Sequence, residues 1–177
     1  MLTWAENIAK QIIARRPDKE EYVCAAGISP SGSIHIGNFR DIATSYFVVQ
    51  ALRGLGKKAK LLFSWDEYDR LRKIPVNVSA VRDDMEQYVG KPYCDVPNPF
   101  GNERDSATYA EYFEKEFMES IGAFGIEMDY RYQSQMYRSG KYTDLILKAI
   151  AKRKEIFDVL DRHRTQTATE EERNNFF

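Results

Sequence analysis

Cysteine, long apolar runs and net charge are all scarce in this sequence, and each scarcity excludes a class of protein. Its two cysteines, Cys24 and Cys94, lie far apart without a CxxC pair, which argues against a disulfide framework or a cysteine-bound metal. No apolar run approaches the roughly 20 residues of a membrane span, and no signal-peptide core is present. We therefore expect no membrane partner and a cytoplasmic location. The formal net charge of −1 lacks the basic excess of many nucleic-acid-binding proteins.

What is present is the balance of a globular protein, with 43% hydrophobic and 30% charged residues. Apolar spacing predicts a helix that ends before Pro17, and a second helix over residues 36–55. The apolar run at 22–27 predicts a strand buried on both faces, and the run at 59–65 predicts a second buried strand. A strand, a helix and a strand in this order predict an α/β fold with a parallel sheet and a right-handed crossover.

The second half of the sequence is less regular. Residues 74–104 contain four prolines and predict an irregular insertion. An aromatic stripe over 109–124 predicts an amphipathic helix whose aromatic residues lie in the core. A short aromatic strand is predicted over 128–133, and one long helix over 146–160. The basic cluster at 152–154 is interpreted as a solvated helix face.

The most informative motif, P-x-G-x-x-H-x-G, follows the first predicted strand and precedes the second helix, over residues 30–37. It is not a P-loop, because Ser33 stands where that motif requires lysine. It is not a dinucleotide fingerprint either, since no GxGxxG spacing is present here. A helix N-terminus at this point would offer free N–H groups and positive potential to phosphate.

Three residues of this motif suit displacement of pyrophosphate from ATP. His35 can donate to charge that develops on the phosphates, and Asn38 supplies amide donors that do not titrate. Gly37 lacks a Cβ, so a flat base or ribose can approach the backbone. The alternative hypothesis is that His35 is a structural residue that only caps the helix.

The segment 26–38 resembles the HIGH signature of class I aminoacyl-tRNA synthetases, and more specifically that of the class I lysyl-tRNA synthetases. The resemblance continues at 64–75, 88–92 and 97–101 and covers nearly the whole chain. It implies a Rossmann-like fold with a parallel sheet flanked by helices. On this basis the whole chain, residues 1–177, is the N-terminal part of a catalytic domain, with the irregular insertion at 74–104.

The resemblance also implies ATP-dependent activation of lysine to lysyl-adenylate and its transfer to tRNA(Lys). ATP is then a substrate, Mg²⁺ accompanies it, no metal is bound by the protein itself, and tRNA contacts lie mainly in regions outside this chain. Catalytic roles fall on His35 and Asn38, and lysine contacts on Gly27 and Ser29. The residues implied for ATP are Pro30, Ser31, Gly32, His35, Gly37 and Asn38.

Lysine requires an anionic or aromatic partner for its ammonium group. The segment after the second predicted strand supplies both, and we expect Asp66 or Asp69 to face the pocket. The alternative is a solvated loop in which Arg70, Arg72 and Lys73 neutralise these acids locally.

One family feature is missing, and two other functions stay open. The sequence contains no KMSKS-like second signature, so we expect the chain alone to be inactive. A small HIGH-type nucleotidyltransferase would also use such a loop, but Ser31 and Gly32 stand where that family has Phe-Asp. A synthetase-like module that binds ligands without catalysis is the third hypothesis.

Overall fold

The computed structural model describes residues 3–165 and 168–176, and the chain divides into two compact units at residues 134 and 135. The first unit is an α/β assembly, and α5 runs across the point of division. The elements that lie wholly in this unit are α1 (Trp4–Arg15), β1 (Tyr22–Ile28), α2 (Ile36–Gly54), β2 (Ala59–Trp65), α3 (Val76–Ser79), α4 (Tyr109–Gly122) and β3 (Asp129–Tyr132), and α5 comprises Gln133–Arg138.

The three strands form one parallel sheet in the order β1-β2-β3. Tyr22 pairs with Ala59 and Ile28 with Trp65, so β1 and β2 are in register along their full length. This confirms the predicted parallel α/β sheet and the strand at 59–65. Helix α2 also begins and ends where its apolar period predicted, within one residue.

The prediction that β1 is buried on both faces is wrong. Burial alternates along the strand: Tyr22 and Ile28 are buried, whereas Val23, Ala25 and Gly27 are exposed. In the part of the chain that is described, β1 lies at the edge of the sheet and only one of its faces meets the core. A continuous apolar run therefore indicated a strand here, but not how many of its faces are covered.

The first core covers that face of the sheet. Phe63 is fully buried; its ring packs edge-on to Trp65 at 4.8 Å and stacks on Phe117 of α4 at 5.2 Å. Helix α2 adds Ile42, Val49 and Leu52 to the same cluster. Each aromatic pair contributes about 0.5–1.5 kcal/mol beyond the area it buries.

The irregular segment between β2 and α4 has a second core of its own. It contains α3 and three short 3₁₀ turns, Asp84–Tyr88, Tyr93–Asp95 and Glu103–Asp105, the last of which ends one residue beyond the predicted insertion at 74–104. Buried side chains from this segment pack on the first turns of α4. The members of the second core are Leu71, Val78, Met85, Tyr93, Val96, Tyr109, Ala110 and Phe113.

The second unit is helical, with α6 (Thr143–Ala151), α7 (Arg153–Asp161) and α8 (Glu170–Asn174). The prediction of one long helix over 146–160 is wrong, because Lys152 leaves helical geometry at φ −104° and ψ 16° and separates α6 from α7. Lys152 pairs with Glu155 and Lys154 with Asn174, and both lysines are exposed, as predicted for a solvated face.

Candidate active site

The loop from Ser29 to His35 connects β1 to α2 and lies at the carboxyl end of the sheet, where open α/β folds bind ligands. Its last residue, His35, is the N-cap of α2, with extended backbone angles. The imidazole Nδ1 accepts a hydrogen bond from the Gly37 amide at 3.1 Å. The Asn38 Oδ1 in turn accepts from the His35 amide at 3.4 Å. The two side chains thus cap the start of the helix reciprocally.

This cap determines which groups remain for a ligand. Since Nδ1 of His35 is an acceptor, the neutral imidazole carries its proton on Nε2, which is therefore a donor. The amide of Asn38 keeps its NH₂ group as a second donor, because its oxygen is used by the cap. His35 is exposed and Asn38 half-buried, so both can be reached from solvent.

The backbone amides of α2 contribute less than predicted. The Gly37 amide is held by the imidazole, and the amides of Asn38 and Phe39 donate to the His35 carbonyl at 3.0 and 3.2 Å. A phosphate would therefore meet the imidazole Nε2–H rather than an open set of helix N–H groups. The expectation of free N–H groups at this helix start is wrong for these three residues.

Gly37 has a steric role that the sequence did not indicate. A Cβ built at this position would lie 2.8 Å from Cε1 and 3.0 Å from Nδ1 of His35. The glycine is therefore required for the imidazole to fold back over the first turn. At Gly32, by contrast, a Cβ would meet nothing within 4 Å.

His35 also borders a small cavity of about 180 Å³. Its walls are largely apolar and come from Ile34, Phe39, Phe117 and Phe124 among others. The rings of Phe39 and Phe124 are 4.8 Å apart. The imidazole thus stands between solvent and an apolar recess.

A second cavity, of about 340 Å³, opens on the other part of the loop. We call it the Ser29 cleft. Ser29 Oγ donates a hydrogen bond to Asp69 Oδ2 at 2.8 Å across it. The cleft combines hydroxyl, carboxylate and cationic groups with one buried tyrosine. Its lining residues are Ser29, Ser31, Asp69, Arg70, Arg72, Lys73, Pro75 and Tyr93.

Of the two predicted acids, Asp69 lines the cleft and Asp66 does not. Asp66 is half-buried and accepts a hydrogen bond from Ser64 Oγ at 3.3 Å. Burial raises the pKa of Asp66, and the nearby Asp69 and Glu67 carboxylates raise it further.

Three other predicted site residues have structural roles. Gly27 is paired with Ser64, and a Cβ at Gly27 would lie 2.9 Å from the Ser64 carbonyl oxygen. Pro30 is buried, and the Ser31 amide donates to the Ser29 carbonyl at 2.8 Å. The predicted residues thus form two groups, one at the start of α2 and one around the cleft.

Tyr109 is a residue of the site that sequence reasoning missed. Its buried phenol donates a hydrogen bond to the Ser31 carbonyl at 2.8 Å and holds the loop against the second core. The ring of Tyr93 stacks on that of Tyr109 at 5.5 Å, which continues this support into the cleft. The aromatic stripe correctly predicted burial of Tyr109, but a helical period carries no signal for the partner of a hydroxyl group.

Two buried glutamates lie behind the site. Glu67 accepts hydrogen bonds from the amides of Gln133 and Ser134 at 3.0 and 2.8 Å, which ties β2 to the start of α5. Glu114 of α4 is 4% exposed, and its Oε1 has no hydrogen-bond partner. Burial raises the pKa of Glu114 to about 8, and the neighbouring Glu67 and Glu111 add to the shift. Glu114 is therefore protonated at neutral pH.

Comparison with known proteins identifies the class to which this fold and loop belong. A family model described as tRNA synthetases class I (K) matches residues 2–176, and the chain belongs to that family.

Three similar relatives are each named lysine–tRNA ligase. The chain is 42% identical over 164 residues to that of Pyrococcus horikoshii and 44% over 164 residues to that of Thermococcus kodakarensis. It is 43% identical over 165 residues to that of Treponema pallidum. Each match covers 93% of this chain and 30% of the relative. The family match and these identities confirm the predicted family. The chain spans about 30% of the length of these relatives.

Neither a metal centre nor a membrane span is evident in the described part of the chain. In residues 3–165 and 168–176, no group of three His, Cys, Asp or Glu side chains is arranged to hold a metal ion. None of the helices that the structure describes has the length and hydropathy needed to cross a bilayer.

Proposed function

We propose that this chain is the N-terminal part of the catalytic domain of a class I lysine–tRNA ligase, with the irregular insertion at 74–104. The whole enzyme would activate lysine with ATP and transfer it to tRNA(Lys) in the cytoplasm. Family membership and the names of the relatives support this proposal. The observation that carries it is the capped imidazole of His35, which presents an N–H donor at the carboxyl end of a parallel sheet.

ATP would bind at the start of α2. The Nε2–H of His35 and the NH₂ group of Asn38 donate to the phosphate oxygens, and Gly37 keeps the imidazole in position. Mg²⁺ would arrive with the phosphates rather than on a protein site. Pro30, Ser31 and Gly32 form the loop beneath them, and the apolar recess beside His35 suits a flat base.

Lysine would bind in the Ser29 cleft. Asp69 is exposed, already accepts from Ser29 Oγ, and offers a carboxylate to an ammonium group of lysine. Asp66 lies directly after β2, outside the lining of the cleft, and would act on lysine only through its charge. The exposed Gly27, next to last in β1, would contact the amino acid through its backbone.

In the first step, a carboxylate oxygen of lysine forms a bond to the α-phosphorus of ATP, and the bond from that phosphorus to pyrophosphate breaks. His35 stabilises the negative charge on the phosphates by donation from Nε2. In the second step, a terminal hydroxyl of tRNA attacks the lysyl carbonyl, and AMP leaves. None of these residues is a covalent nucleophile, so catalysis rests on positioning and electrostatics.

Calorimetric titration of the purified chain tests both sites separately. With a non-hydrolysable ATP analogue, His35→Ala should weaken binding at least about tenfold, as expected for loss of a hydrogen bond to a charged group. Lysine binding should be unchanged. His163→Ala, which removes the other histidine from an exposed position, is the matched control and should affect neither ligand.

The reciprocal variant is Asp69→Asn, which should weaken lysine binding at least about tenfold and leave the ATP analogue unaffected. Asp18→Asn removes the same charge from an exposed turn and is its control. If His35→Ala binds the ATP analogue with the same affinity as the unmodified chain, the proposed ATP site is refuted. Equal affinity for lysine and for other amino acids would refute the proposed specificity.

A further inference from the structure

Glu67 is a buried glutamate two residues before Asp69, and it does not itself line the Ser29 cleft. Its side chain is 2% exposed, and both carboxylate oxygens are used. Oε2 accepts a hydrogen bond from the Gln133 amide at 3.0 Å, and Oε1 accepts one from the Ser134 amide at 2.8 Å. Burial of a carboxylate costs free energy unless its oxygens are hydrogen-bonded, and here each oxygen has a backbone donor.

Glu67 and Asp69 belong to one tight turn that directly follows β2. The Asp69 amide donates a hydrogen bond to the Asp66 carbonyl at 3.1 Å, which closes a turn of four residues. In a turn this short, the backbone at position 69 follows the backbone at position 67. A displacement of Glu67 therefore also moves the side chain of Asp69.

This turn is anchored to the first unit in two ways. The segment of the second core supplies backbone donors: the Cys94 amide donates to the Glu67 carbonyl at 3.1 Å, and the Tyr93 amide donates to the Asp69 carbonyl at 3.0 Å. The Glu67 carboxylate supplies the other anchor, because it binds the first two residues of α5. Hydrogen bonds from backbone amides to a carboxylate are charge-assisted and stronger than those between neutral groups. The side chain of Glu67 thus fixes the turn relative to α5.

The position of Asp69 matters because its carboxylate has competing partners. Ser29 Oγ donates a hydrogen bond to Asp69 Oδ2 at 2.8 Å and keeps the carboxylate at the loop between β1 and α2. The same cleft is lined by Arg70, Arg72 and Lys73. An Asp69 side chain that moved away from Ser29 would meet these cations, and an ammonium group in the cleft would lose its anionic partner.

We propose that Glu67 is a positioning residue for the amino acid: its buried carboxylate holds the turn so that Asp69 stays bonded to Ser29 and faces an ammonium group of lysine. The inference rests on the proposed function, which assigns lysine to the Ser29 cleft. It adds to that function a residue that touches neither lysine nor ATP. Its effect is confined to lysine, because His35 borders a different cavity from Asp69.

The test is a double-mutant cycle on lysine affinity, measured by calorimetric titration of the purified chain. Glu67→Ala removes both hydrogen bonds to α5 and should weaken lysine binding about tenfold, while the ATP analogue binds as before. Glu67→Gln keeps one acceptor oxygen, so it should restore part of the lost affinity. Because the loss acts through Asp69, Glu67→Ala/Asp69→Asn should bind lysine no more weakly than Asp69→Asn alone. Glu114→Gln, at the other buried glutamate, is the matched control and should leave lysine affinity unchanged.

A graded loss that affects lysine alone and disappears in the Asp69→Asn background supports the proposal. Losses that add in the double variant, or equal losses for lysine and the ATP analogue, overturn it and leave Glu67 a residue of general stability. If Glu67→Ala does not fold, Glu67→Gln is used in the same cycle, and unchanged lysine affinity in that variant overturns the proposal. Equal lysine affinity in Asp69→Asn and in the unmodified chain would instead refute the proposed lysine site, and this inference with it. The variant that gives the unexpected result thus distinguishes the two failures.

Discussion

The two cores of the first unit are built from different kinds of sequence. The first core joins regular strands and helices, and its centre is the aromatic cluster around Phe63. The second core gathers side chains from turns and short helices onto the start of α4. Helix α4 belongs to both, with Phe113 in the second core and Phe117 in the first. The first core thus stabilises the sheet, and the second core positions the Ser29 cleft at the carboxyl end of that sheet.

This division separates stability from the geometry of the site. Loss of packing around Phe63 removes support from all three strands. A weakened second core acts first on the loop that contains Ser31, because Tyr109 is the link between that loop and the core. We therefore expect substitutions in the two cores to have different consequences.

The largest effect is expected from Phe63→Ala. Phe63 is fully buried among aromatic rings, so its truncation should lower the free energy of unfolding by about 3–5 kcal/mol. Urea unfolding followed by circular dichroism measures this loss. Val81→Ala, at a side chain that is 60% exposed, should cost less than about 0.5 kcal/mol. A similar loss in both variants would contradict the assignment of Phe63 to the central core.

Glu114→Gln should stabilise the protein at neutral pH. Between the ordinary value of 4.5 and a pKa of about 8, the folded carboxyl holds a proton that the unfolded chain has lost. The free energy of unfolding therefore falls as pH rises through this window, by about 1.4 kcal/mol per pH unit. Glutamine is neutral at every pH and removes this slope, so the difference between pH 5 and pH 7 should change by about 3 kcal/mol.

Urea unfolding of Glu114→Gln at several pH values measures this change. The control Glu127→Gln removes an exposed carboxylate and should alter the free energy of unfolding by less than about 0.5 kcal/mol at pH 7. A slope that survives in Glu114→Gln would show that a different titratable group causes it.

Tyr109→Phe should loosen the site loop more than the sheet. The change removes the hydrogen bond to the Ser31 carbonyl and leaves that acceptor without its partner, at a cost of about 1–2 kcal/mol. Hydrogen exchange should become faster in the loop that contains Ser31 than in β2. Tyr46→Phe removes a longer bond, 3.4 Å to the Gly125 carbonyl, and should leave exchange in that loop unchanged. Equal acceleration in the loop and in β2 would contradict the separation of the two cores.

The smallest effect on stability is expected from Gly37→Ala. The new Cβ displaces the imidazole, which removes the cap on α2 at a cost of about 1 kcal/mol, and affinity for the ATP analogue should fall with it. Gly54→Ala, at a helical glycine with open space around it, should stabilise by about 0.5–1 kcal/mol. Thermal unfolding of the two variants compares them. If the unfolding temperature shifted in the same direction in Gly37→Ala and Gly54→Ala, the close contact of Gly37 with the imidazole would be contradicted.

The sequence predicted the first core much better than the second. An apolar period located α2 and a continuous apolar run located β2, both almost to the residue, because burial imposes these patterns on regular elements. Side chains such as Leu71 and Met85 reach the second core from turns, where no period reveals which residue is buried. The open face of β1 was missed for a related reason: an apolar run does not show which of its faces a neighbour covers.

The same limit applies to the site. The motif that contains His35 and Gly37 was visible in the sequence, because spacing and residue type are preserved within a loop. The reason for the glycine was not visible, since it depends on a distance of 2.8 Å to a ring two residues away. The sequence could not choose between Asp66 and Asp69 either, because only the fold determines which acid meets Ser29.

The most direct test of the proposed ATP site is the nitrogen NMR spectrum of the His35 imidazole during titration with an ATP analogue. If the nucleotide binds the His35 imidazole, the Nε2 resonance should shift on saturation. The Nδ1 resonance should keep the chemical shift of a nitrogen that accepts a hydrogen bond from the Gly37 amide. Saturation of the chain with the analogue while both ring nitrogens stay unmoved would leave His35 as a helix cap alone and would contradict the proposed ATP site.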